Sequence, residues 1–389
     1  MRAFFVLAVL ALGCSNPKGA LPFEPANRYG APDPSTKGPY PVGVHTATYV
    51  DTSRTEPDGG DRTLVTEIWY PAEPGTTGEG AEYDIWPLFT PEQQAQVADA
   101  GVTLPKLKTF AVRDAPLASE LGPYPVIIFS HGKGGMRWQS TYLTVTLASH
   151  GYVVVSPDHE DDTLYDILHG QQAETLVAYD FRPRDVQFLI SRLNKLPAGD
   201  PLIGNIDLER LGVCGHSFGA LTSLRVGAID PRVKAIAPQA PTTTDLAWAG
   251  LAMPVDLKIP IMLEGGHEDM TLPYDDNVVP AWAAVHHPRW KLGITHAGHF
   301  TFSDLCQFDL ASIADHITLN VPGADVRKVL SDGCGPAAVP ASVSAPLIDQ
   351  FTIGFFNAEL RGSTGSFEYL NQAGADRFGS GVADVEADP

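Results

Sequence analysis

The sequence predicts an α/β fold in which a mostly parallel sheet is covered by helices on both faces. Two observations support this prediction: apolar runs of strand length recur along the chain, and helical patterns separate them. Strands buried on both faces appear as continuous apolar runs, and alternation with helices over short loops favours parallel pairing. The 389 residues, 44% of them hydrophobic, suit one large domain of this kind.

The predicted elements begin at residue 41. Two runs with β-branched and aromatic alternation, 42–51 and 62–72, predict paired strands around a turn. Buried strands are then predicted at 125–130, 152–156, 211–214, 233–237, 260–263 and 290–294. Helices are predicted around 91–101 and over 136–150, 185–196, 218–227, 281–285 and 351–360, with Pro183 in the first turn of the 185–196 helix.

The N-terminus is typical of an exported protein. Arg2 precedes a short apolar core over 3–12, which is too short to span a membrane. Gly13-Cys14 resembles the cleavage site of a bacterial lipoprotein signal, in which the cysteine is lipidated. Ala11 and Leu12 depart from the residues that this signal prefers, so an ordinary cleaved signal peptide is the alternative. We expect residues 1–14 to be a signal peptide, with Cys14 a candidate lipidation site.

Composition divides the rest of the chain. Residues 15–40 are rich in Pro, Gly, Asn and Lys and predict a linker. The α/β domain is expected over 41–362, with an insertion at about 74–122 and a C-terminal tail at 363–389.

Export changes the interpretation of the cysteines. Cys306 and Cys334 lie in loop-like sequence and are the natural disulfide pair in an oxidising compartment. Such a bond would stabilise the fold by roughly 3 to 4 kcal/mol in the chain-entropy model. Cys214 lies in an apolar run and is expected to be a buried thiol.

The charge pattern excludes some partners. A formal net charge of -20 repels nucleic acid and anionic membranes, which leaves a lipid anchor as the expected membrane contact. The acidic stretches 157–162 and 274–277 lack the spacing of a calcium loop and are expected to be solvated rims. No motif for a metal or a cofactor is found in the sequence.

The stretch VCGHSFGA, residues 213–220, predicts a catalytic nucleophile. Ser217 follows a predicted strand and opens a predicted helix, with glycines at Gly215 and Gly219. This is the strand–turn–helix context in which the G-x-S-x-G pattern exposes a serine hydroxyl above a sheet. A serine that only caps the helix is the alternative.

A nucleophilic serine needs a base, and the base needs an orienting carboxylate. After the strand at 260–263 the chain offers Asp269, which we favour because it follows glycines and precedes a proline. Glu268 and Glu264 are the alternatives. After the strand at 290–294, His299 lies on the loop that must hang over the serine. His296 is nearer the strand end, which favours a structural role.

The oxyanion that forms during acyl transfer needs N–H donors. The first is expected to be the main-chain amide of Phe218, directly after the nucleophile. The second is expected from the glycine-rich loop after the strand at 125–130, with the amide of Lys133 as the candidate. His131 in the same loop is expected to brace it.

Together the motifs FSHGKGG, GHSFGA, GHFTFSD and IWYPA resemble the platelet-activating-factor acetylhydrolase and dienelactone-hydrolase-like branch of the α/β-hydrolases, over about residues 41–362. The resemblance implies a cofactor-free serine esterase with its base at His299 and oxyanion amides at Lys133 and Phe218. Dienelactone hydrolases proper have a cysteine where this chain has Ser217, so their activity is not implied.

The position of the acid separates this chain from the plasma-type acetylhydrolases. Those enzymes place the acid after the strand that follows the nucleophile helix, but residues 236–241 contain no carboxylate. Asp269 falls one strand later, as in bacterial polyesterases similar to polyethylene terephthalate hydrolases.

We therefore expect an exported serine carboxylesterase that acts on a small-molecule or lipid ester through an acyl-enzyme. A lipase, polyesterase or acyltransferase with the same triad is the first alternative. A catalytically silent binding protein is the second, although silent members of the fold commonly lose a triad residue. The fold does not fix the acyl chain or the alcohol of the substrate.

Overall fold

A computed structural model describes residues 31–55, 59–243, 257–308, 313–317, 328 and 331–389. The expected signal peptide and Cys14 lie outside these residues. The described strands form one eleven-stranded sheet in the order β11-β10-β9-β8-β7-β5-β6-β2-β1-β4-β3. Their bounds are β1 Val42–Thr55, β2 Asp61–Pro71, β3 Gly80–Tyr83, β4 Leu107–Arg113, β5 Tyr124–Ser130, β6 Val153–Pro157, β7 Ile206–His216, β8 Val233–Gln239, β9 Ile261–Gly266, β10 Arg289–Ile294 and β11 Ala383–Asp388.

The centre of the sheet is parallel. Strands β6, β5, β7, β8, β9 and β10 pair in parallel. The N-terminal hairpin of β1 and β2 adds antiparallel to β6, and β11 adds antiparallel to β10. The carboxyl ends of the parallel strands therefore meet at one edge, where ligands of such sheets bind.

Helices cover both faces of the sheet. The α-helices are α1 Pro91–Asp99, α2 Thr141–Ser149, α3 Leu164–His169, α4 Thr175–Leu193, α5 Phe218–Ile229, α6 Tyr274–Ala284, α7 Ala341–Arg361 and α8 Gln372–Asp376. Short 3-10 helices lie at Trp86–Leu88, Ser119–Leu121, His299–Phe302, Leu305–Phe308 and Thr364–Tyr369.

The side chains of each central strand alternate between two cores. On β5, Ile127 and Phe129 pack with α2 and α7, whereas Val126 and Ile128 pack with α4, α5 and α6. This burial on both faces explains why the strands appear in the sequence as unbroken apolar runs. The predicted α/β class is confirmed, and each of the six predicted central strands is present in the sheet.

Several predicted helix bounds are wrong. Helix α4 begins at Thr175, so Pro183 lies inside it rather than in its first turn. Proline leaves the carbonyl four residues earlier without its helical donor, and the guanidinium of Arg225 donates to that carbonyl, on Tyr179. Helices α6 and α7 also begin earlier than predicted, at Tyr274 and Ala341, and each contains a proline.

The predicted domain boundaries are too narrow. Residues 363–389, predicted as a tail, end in β11, which pairs with β10 along its whole length. The end of the predicted linker packs on the domain, where Tyr40 is buried and the amide of Gly38 donates to Ser149 Oγ. The 74–122 insertion contains α1 and extends the sheet beyond β1 with β4 and then β3. No helix among the described residues is long and apolar enough to cross a membrane.

Candidate active site

Ser217 occupies a sharp turn between β7 and α5. Its backbone has φ 59° and ψ −117°, a conformation that a non-glycine residue adopts only under strain. The turn presses against the end of β5, and a Cβ at Gly219 would lie 1.9 Å from the carbonyl oxygen of Ser130, while one at Gly215 would lie 2.5 Å from the same oxygen. The two flanking glycines of the motif are therefore required by contact with backbone.

The structure brings Ser217, His299 and Asp269 together. Ser217 Oγ lies 2.9 Å from His299 Nε2, and His299 Nδ1 lies 2.8 Å from Asp269 Oδ2. The other carboxylate oxygen of Asp269 accepts the main-chain N–H groups of Thr271 and Leu272, at 2.9 and 2.6 Å. The imidazole is thus held between a buried carboxylate and the serine hydroxyl, which donates to Nε2 when Nδ1 carries the proton.

The alternative candidates for acid and base lie elsewhere. His296 Nδ1 and Glu268 Oε1 pair with each other at 2.6 Å on the protein surface. Glu264 is buried within the sheet, where it accepts hydrogen bonds from Gln239 and Thr352. Neither Glu268 nor Glu264 contacts His299 in the described part of the chain.

The glycine-rich loop lies against the nucleophile turn. A Cβ at Gly132 would lie 3.4 Å from Ser217 Cβ. The carbonyl oxygen of Gly132 accepts hydrogen bonds from Arg182 Nη2 at 2.9 Å and His131 Nδ1 at 2.7 Å. His131 therefore braces the loop. Because a trans peptide is planar, the N–H of the Gly132–Lys133 peptide, which belongs to Lys133, points away from the donors His131 and Arg182.

Phe218 lies directly after the nucleophile. It is the first residue of α5, and the first N–H groups of a helix have no partner within it. The helix dipole adds a partial positive charge at the same point. The amide of Phe218 and the peptide between Gly132 and Lys133 therefore both lie at the Ser217 turn.

A buried glutamine and histidine connect the loop to the His299 segment, and sequence analysis did not find them. Gln139 Oε1 accepts the amide of Gly132 at 3.0 Å, and Gln139 Nε2 donates to His216 Nδ1 at 2.8 Å. His216 Nε2 donates to the carbonyl oxygen of His299 at 2.9 Å. Burial lowers the pKa of His216 well below its usual value, so it stays neutral. The histidine before the motif serine was a visible but unused signal.

The stretch 157–162 is not the solvated rim that the sequence predicted. His159 and Asp162 are fully buried, because Arg182 lies beside Asp162, with its Nε 2.8 Å from Oδ2. His159 Nε2 accepts from Ser130 Oγ at 2.8 Å, and Nδ1 donates to Asp185 at 2.9 Å. This second serine–histidine–aspartate set is sealed from solvent and serves as structure.

The stretch 274–277 forms the first turn of α6. Asp275 and Asp276 are exposed there as predicted, while Asn277 is buried and its side chain accepts the amide of Thr243 at 2.9 Å. Among the described residues, no group of three or more His, Cys, Asp or Glu side chains is placed to hold a metal ion.

The fold described above is the α/β-hydrolase fold. Residues 120–313 match the family model described as PET hydrolase-like, and residues 30–175 match that of platelet-activating factor acetylhydrolase, isoform II. The chain is therefore similar to two families of the same branch of the α/β-hydrolases.

Individual relatives show the same similarity. Cutinase est1 of Thermobifida alba is 26% identical over 46% of this chain and 55% of its own length. Bis(hydroxyethyl) terephthalate hydrolase of Streptomyces coelicolor is 25% identical over 48% of this chain and 54% of its own. The chain thus spans about half the length of these curated relatives. A solved ferulic acid esterase from Streptomyces cinnamoneus matches 88% of this chain and 94% of its own, at 25% identity and a TM-score of 0.60.

Proposed function

We propose that the protein is a serine carboxylesterase in which Ser217, His299 and Asp269 form the catalytic triad. The observation that supports this most directly is the continuous pair of hydrogen bonds from Ser217 Oγ through the His299 imidazole to Asp269. Cutinase, terephthalate-ester hydrolase and ferulic acid esterase among the relatives support an ester as the substrate class.

In the first step, Ser217 Oγ attacks the ester carbonyl carbon while His299 Nε2 accepts the hydroxyl proton. Asp269 fixes the imidazole tautomer through Nδ1–H and stabilises the imidazolium that forms. The amides of Lys133 and Phe218 bind the oxyanion of the tetrahedral intermediate. As the intermediate collapses, His299 gives its proton to the leaving alcohol, and the acyl-enzyme remains.

In the second step, His299 accepts a proton from water, and the resulting nucleophile attacks the acyl carbon. The second intermediate collapses when His299 returns the proton to Ser217 Oγ, which releases the acid. The cycle consumes one water and needs no cofactor.

The chain is also proposed to be exported, with Cys14 as a candidate lipid anchor. The N-terminal pattern supports export, as does the disulfide between Cys306 and Cys334, because such bonds persist in oxidising compartments. Mass spectrometry of the mature protein distinguishes a lipidated Cys14 from an ordinary cleaved N-terminus.

Turnover of p-nitrophenyl esters of increasing acyl length tests the proposed activity. Ser217→Ala should abolish turnover, and His299→Ala should reduce kcat by several orders of magnitude. His296→Ala is the matched control and should keep wild-type activity. Turnover by Ser217→Ala equal to that of the wild type would remove this serine from the mechanism.

The same series addresses the alternatives. A maximum at long acyl chains would favour a lipase, and turnover of an insoluble aromatic polyester would favour a polyesterase. The position of the acid after β9 and the PET hydrolase-like match support the polyesterase as the second candidate. Failure to hydrolyse any ester, with a correctly folded protein, would favour a silent binding protein.

A further inference from the structure

We propose that Asp332, anchored by the disulfide Cys306–Cys334, is a positioning residue for the triad. Its carboxylate holds the loop that carries Asp269 against the loop that carries His299. This inference rests on the proposed function, and it assigns a role to a carboxylate that does not touch the reacting atoms.

The Asp332 side chain is 1% exposed and accepts hydrogen bonds from both loops. Oδ2 accepts the amides of Met270 and Thr271, at 3.0 and 2.8 Å, and the hydroxyl of Thr271 at 2.7 Å. Oδ1 accepts the amide of His299 at 3.1 Å. The main-chain oxygen of Asp332 accepts the amide of Phe300 at 2.8 Å. Asp332 therefore joins the two loops beside both triad residues.

The groups that donate to Asp332 belong to His299 itself or to residues one or two positions after Asp269 or His299. The amide of Thr271 is shared by two carboxylates, at 2.9 Å from Asp269 Oδ1 and 2.8 Å from Asp332 Oδ2. Bonds from N–H donors to a carboxylate are stronger than those between neutral groups. The donor on the other side is the amide of His299 itself. Asp332 thus sets where the Asp269 carboxylate and the His299 imidazole lie relative to each other.

The glycine of the Gly-His-Phe motif makes room for this carboxylate. A Cβ at Gly298 would lie 2.3 Å from Asp332 Oδ1 and 2.3 Å from the amide nitrogen of Gly333. Gly333 in turn has φ +85° and packs on the backbone of Gly298. Both glycines are therefore needed for the close approach of the Asp332 segment to the His299 loop.

A covalent bond holds the Asp332 segment in place. Cys334 lies two residues after Asp332 and is bonded to Cys306, which lies in the short helix Leu305–Phe308 that follows the His299 segment. Reduction would release the segment from this loop. The disulfide therefore affects the catalytic geometry, because it holds Asp332 in place. This effect is separate from the loss of chain entropy that the bond causes in the unfolded state.

The variant Asp332→Asn tests the proposal, because it keeps the shape of the side chain but places an amide N–H₂ among N–H donors. We expect kcat for p-nitrophenyl acetate to fall about 10- to 100-fold with little change in KM, as displaced catalytic groups produce. The matched control is Asp230→Asn. The Asp230 carboxylate is 3% exposed and lies at the opposite end of α5 from Ser217. This variant should lose stability but keep the wild-type kcat.

Proton NMR gives a readout that does not depend on turnover. The Nδ1–H of His299, hydrogen-bonded to Asp269, should give a far-downfield resonance, and its loss in Asp269→Ala would identify it. In Asp332→Asn this resonance should move or broaden, and in Asp230→Asn it should stay. A wild-type kcat together with an unmoved resonance in Asp332→Asn would overturn the proposal. Absence of esterase activity in the wild type would instead count against the proposed function.

A second measurement decides the matter if Asp332→Asn does not fold. The wild-type protein is reduced under native conditions, and mass spectrometry verifies that Cys306 and Cys334 are free. We expect kcat to fall at least threefold and the His299 resonance to shift, both recovering on reoxidation. Full reduction with kcat and the resonance unchanged would overturn the proposal.

Discussion

The guanidinium of Arg182 donates from Nη2 to the main-chain oxygen of Gly132 over 2.9 Å. A second bond, from Nη1 to the oxygen of His131, measures 2.6 Å. A single side chain of α4 therefore orients two consecutive carbonyls of the glycine-rich loop. The peptide between Gly132 and Lys133 is planar, so fixing its oxygen also fixes the direction of its N–H.

Replacing Arg182 with methionine should reduce kcat by about 10- to 100-fold with KM nearly unchanged. An oxyanion donor acts in the transition state rather than in substrate binding, and the Lys133 amide would lose its fixed orientation. Arg182→Lys should recover part of the rate, since an ammonium carries the charge but not the planar fork. Steady-state kinetics on p-nitrophenyl acetate measures both parameters.

Arg361 provides the matched control for Arg182. It is also buried, and it donates to the consecutive carbonyls of His150 and Gly151. These carbonyls precede the amino end of β6, at the edge of the sheet opposite the triad. Arg361→Met should lower the free energy of unfolding and leave kcat unchanged. An equal loss of kcat in both variants would mean that loss of packing, not the oxyanion loop, explains the effect.

The choice between adjacent carboxylates gives a second prediction. Asp269→Asn should lower kcat roughly 10³- to 10⁴-fold, because the amide no longer fixes the tautomer of His299. Glu268→Gln should keep wild-type kcat, since Glu268 pairs with His296 on the surface. Far-ultraviolet circular dichroism checks that both variants fold. A large loss of kcat in Glu268→Gln alone would transfer the role of the acid.

The pairs Asp269–His299 and Glu268–His296 show which part of the site could be predicted from the sequence and which part could not. The strand–turn–helix pattern around Ser217 predicted its place in the fold, because the glycines and apolar runs that it needs are local. Asp269 and Glu268 are neighbours in sequence and could not be separated with certainty. The two side chains leave the same short loop in different directions. The direction of each depends on its contact with a histidine about thirty residues later in the chain, His299 for Asp269 and His296 for Glu268.

The supporting residues were missed for a related reason. Arg182 lies in a helix, and Asp332 lies two residues before a cysteine in an irregular segment, so neither shows a motif. Burial of a charged side chain is improbable without partners. Apart from the Thr271 hydroxyl, the partners of the Asp332 carboxylate are main-chain amides, which leave no trace in the sequence. The helix starts at Thr175 and Ala341 were missed because each helix tolerates an internal proline.

Backbone strain at Ser217 gives a third prediction. Glycine adopts positive φ without the penalty that a Cβ imposes, so Ser217→Gly should be more stable than Ser217→Ala by about 1 kcal/mol. Both variants lack the nucleophile and should be inactive. Urea denaturation of the two proteins measures the difference, and equal midpoints would show that the turn is not strained.

The buried carboxyl of Glu264 predicts how stability depends on pH. Burial raises its pKa from 4.5 to about 7, although Gln239 and Thr352 donate to it. At a pH between 4.5 and 7, Glu264 has lost its proton in the unfolded chain but keeps it in the folded chain. The free energy of unfolding should therefore fall as the pH rises from 4.5 to 7, by on the order of 3 kcal/mol in total, and this contribution should stay constant above pH 7.

Glu264→Gln removes this titration while keeping a polar side chain that can bond both neighbours. Denaturation of the wild type and the variant across pH 4 to 9 isolates the effect, because every other titrating group is common to both proteins. The variant should gain stability relative to the wild type as the pH rises from 4.5 to 7, with no further gain above. If the free energies of unfolding of the two proteins change in parallel between pH 4.5 and 7, Glu264 is already ionised in the folded protein at acidic pH. Its charge would then be stabilised by Gln239 and Thr352.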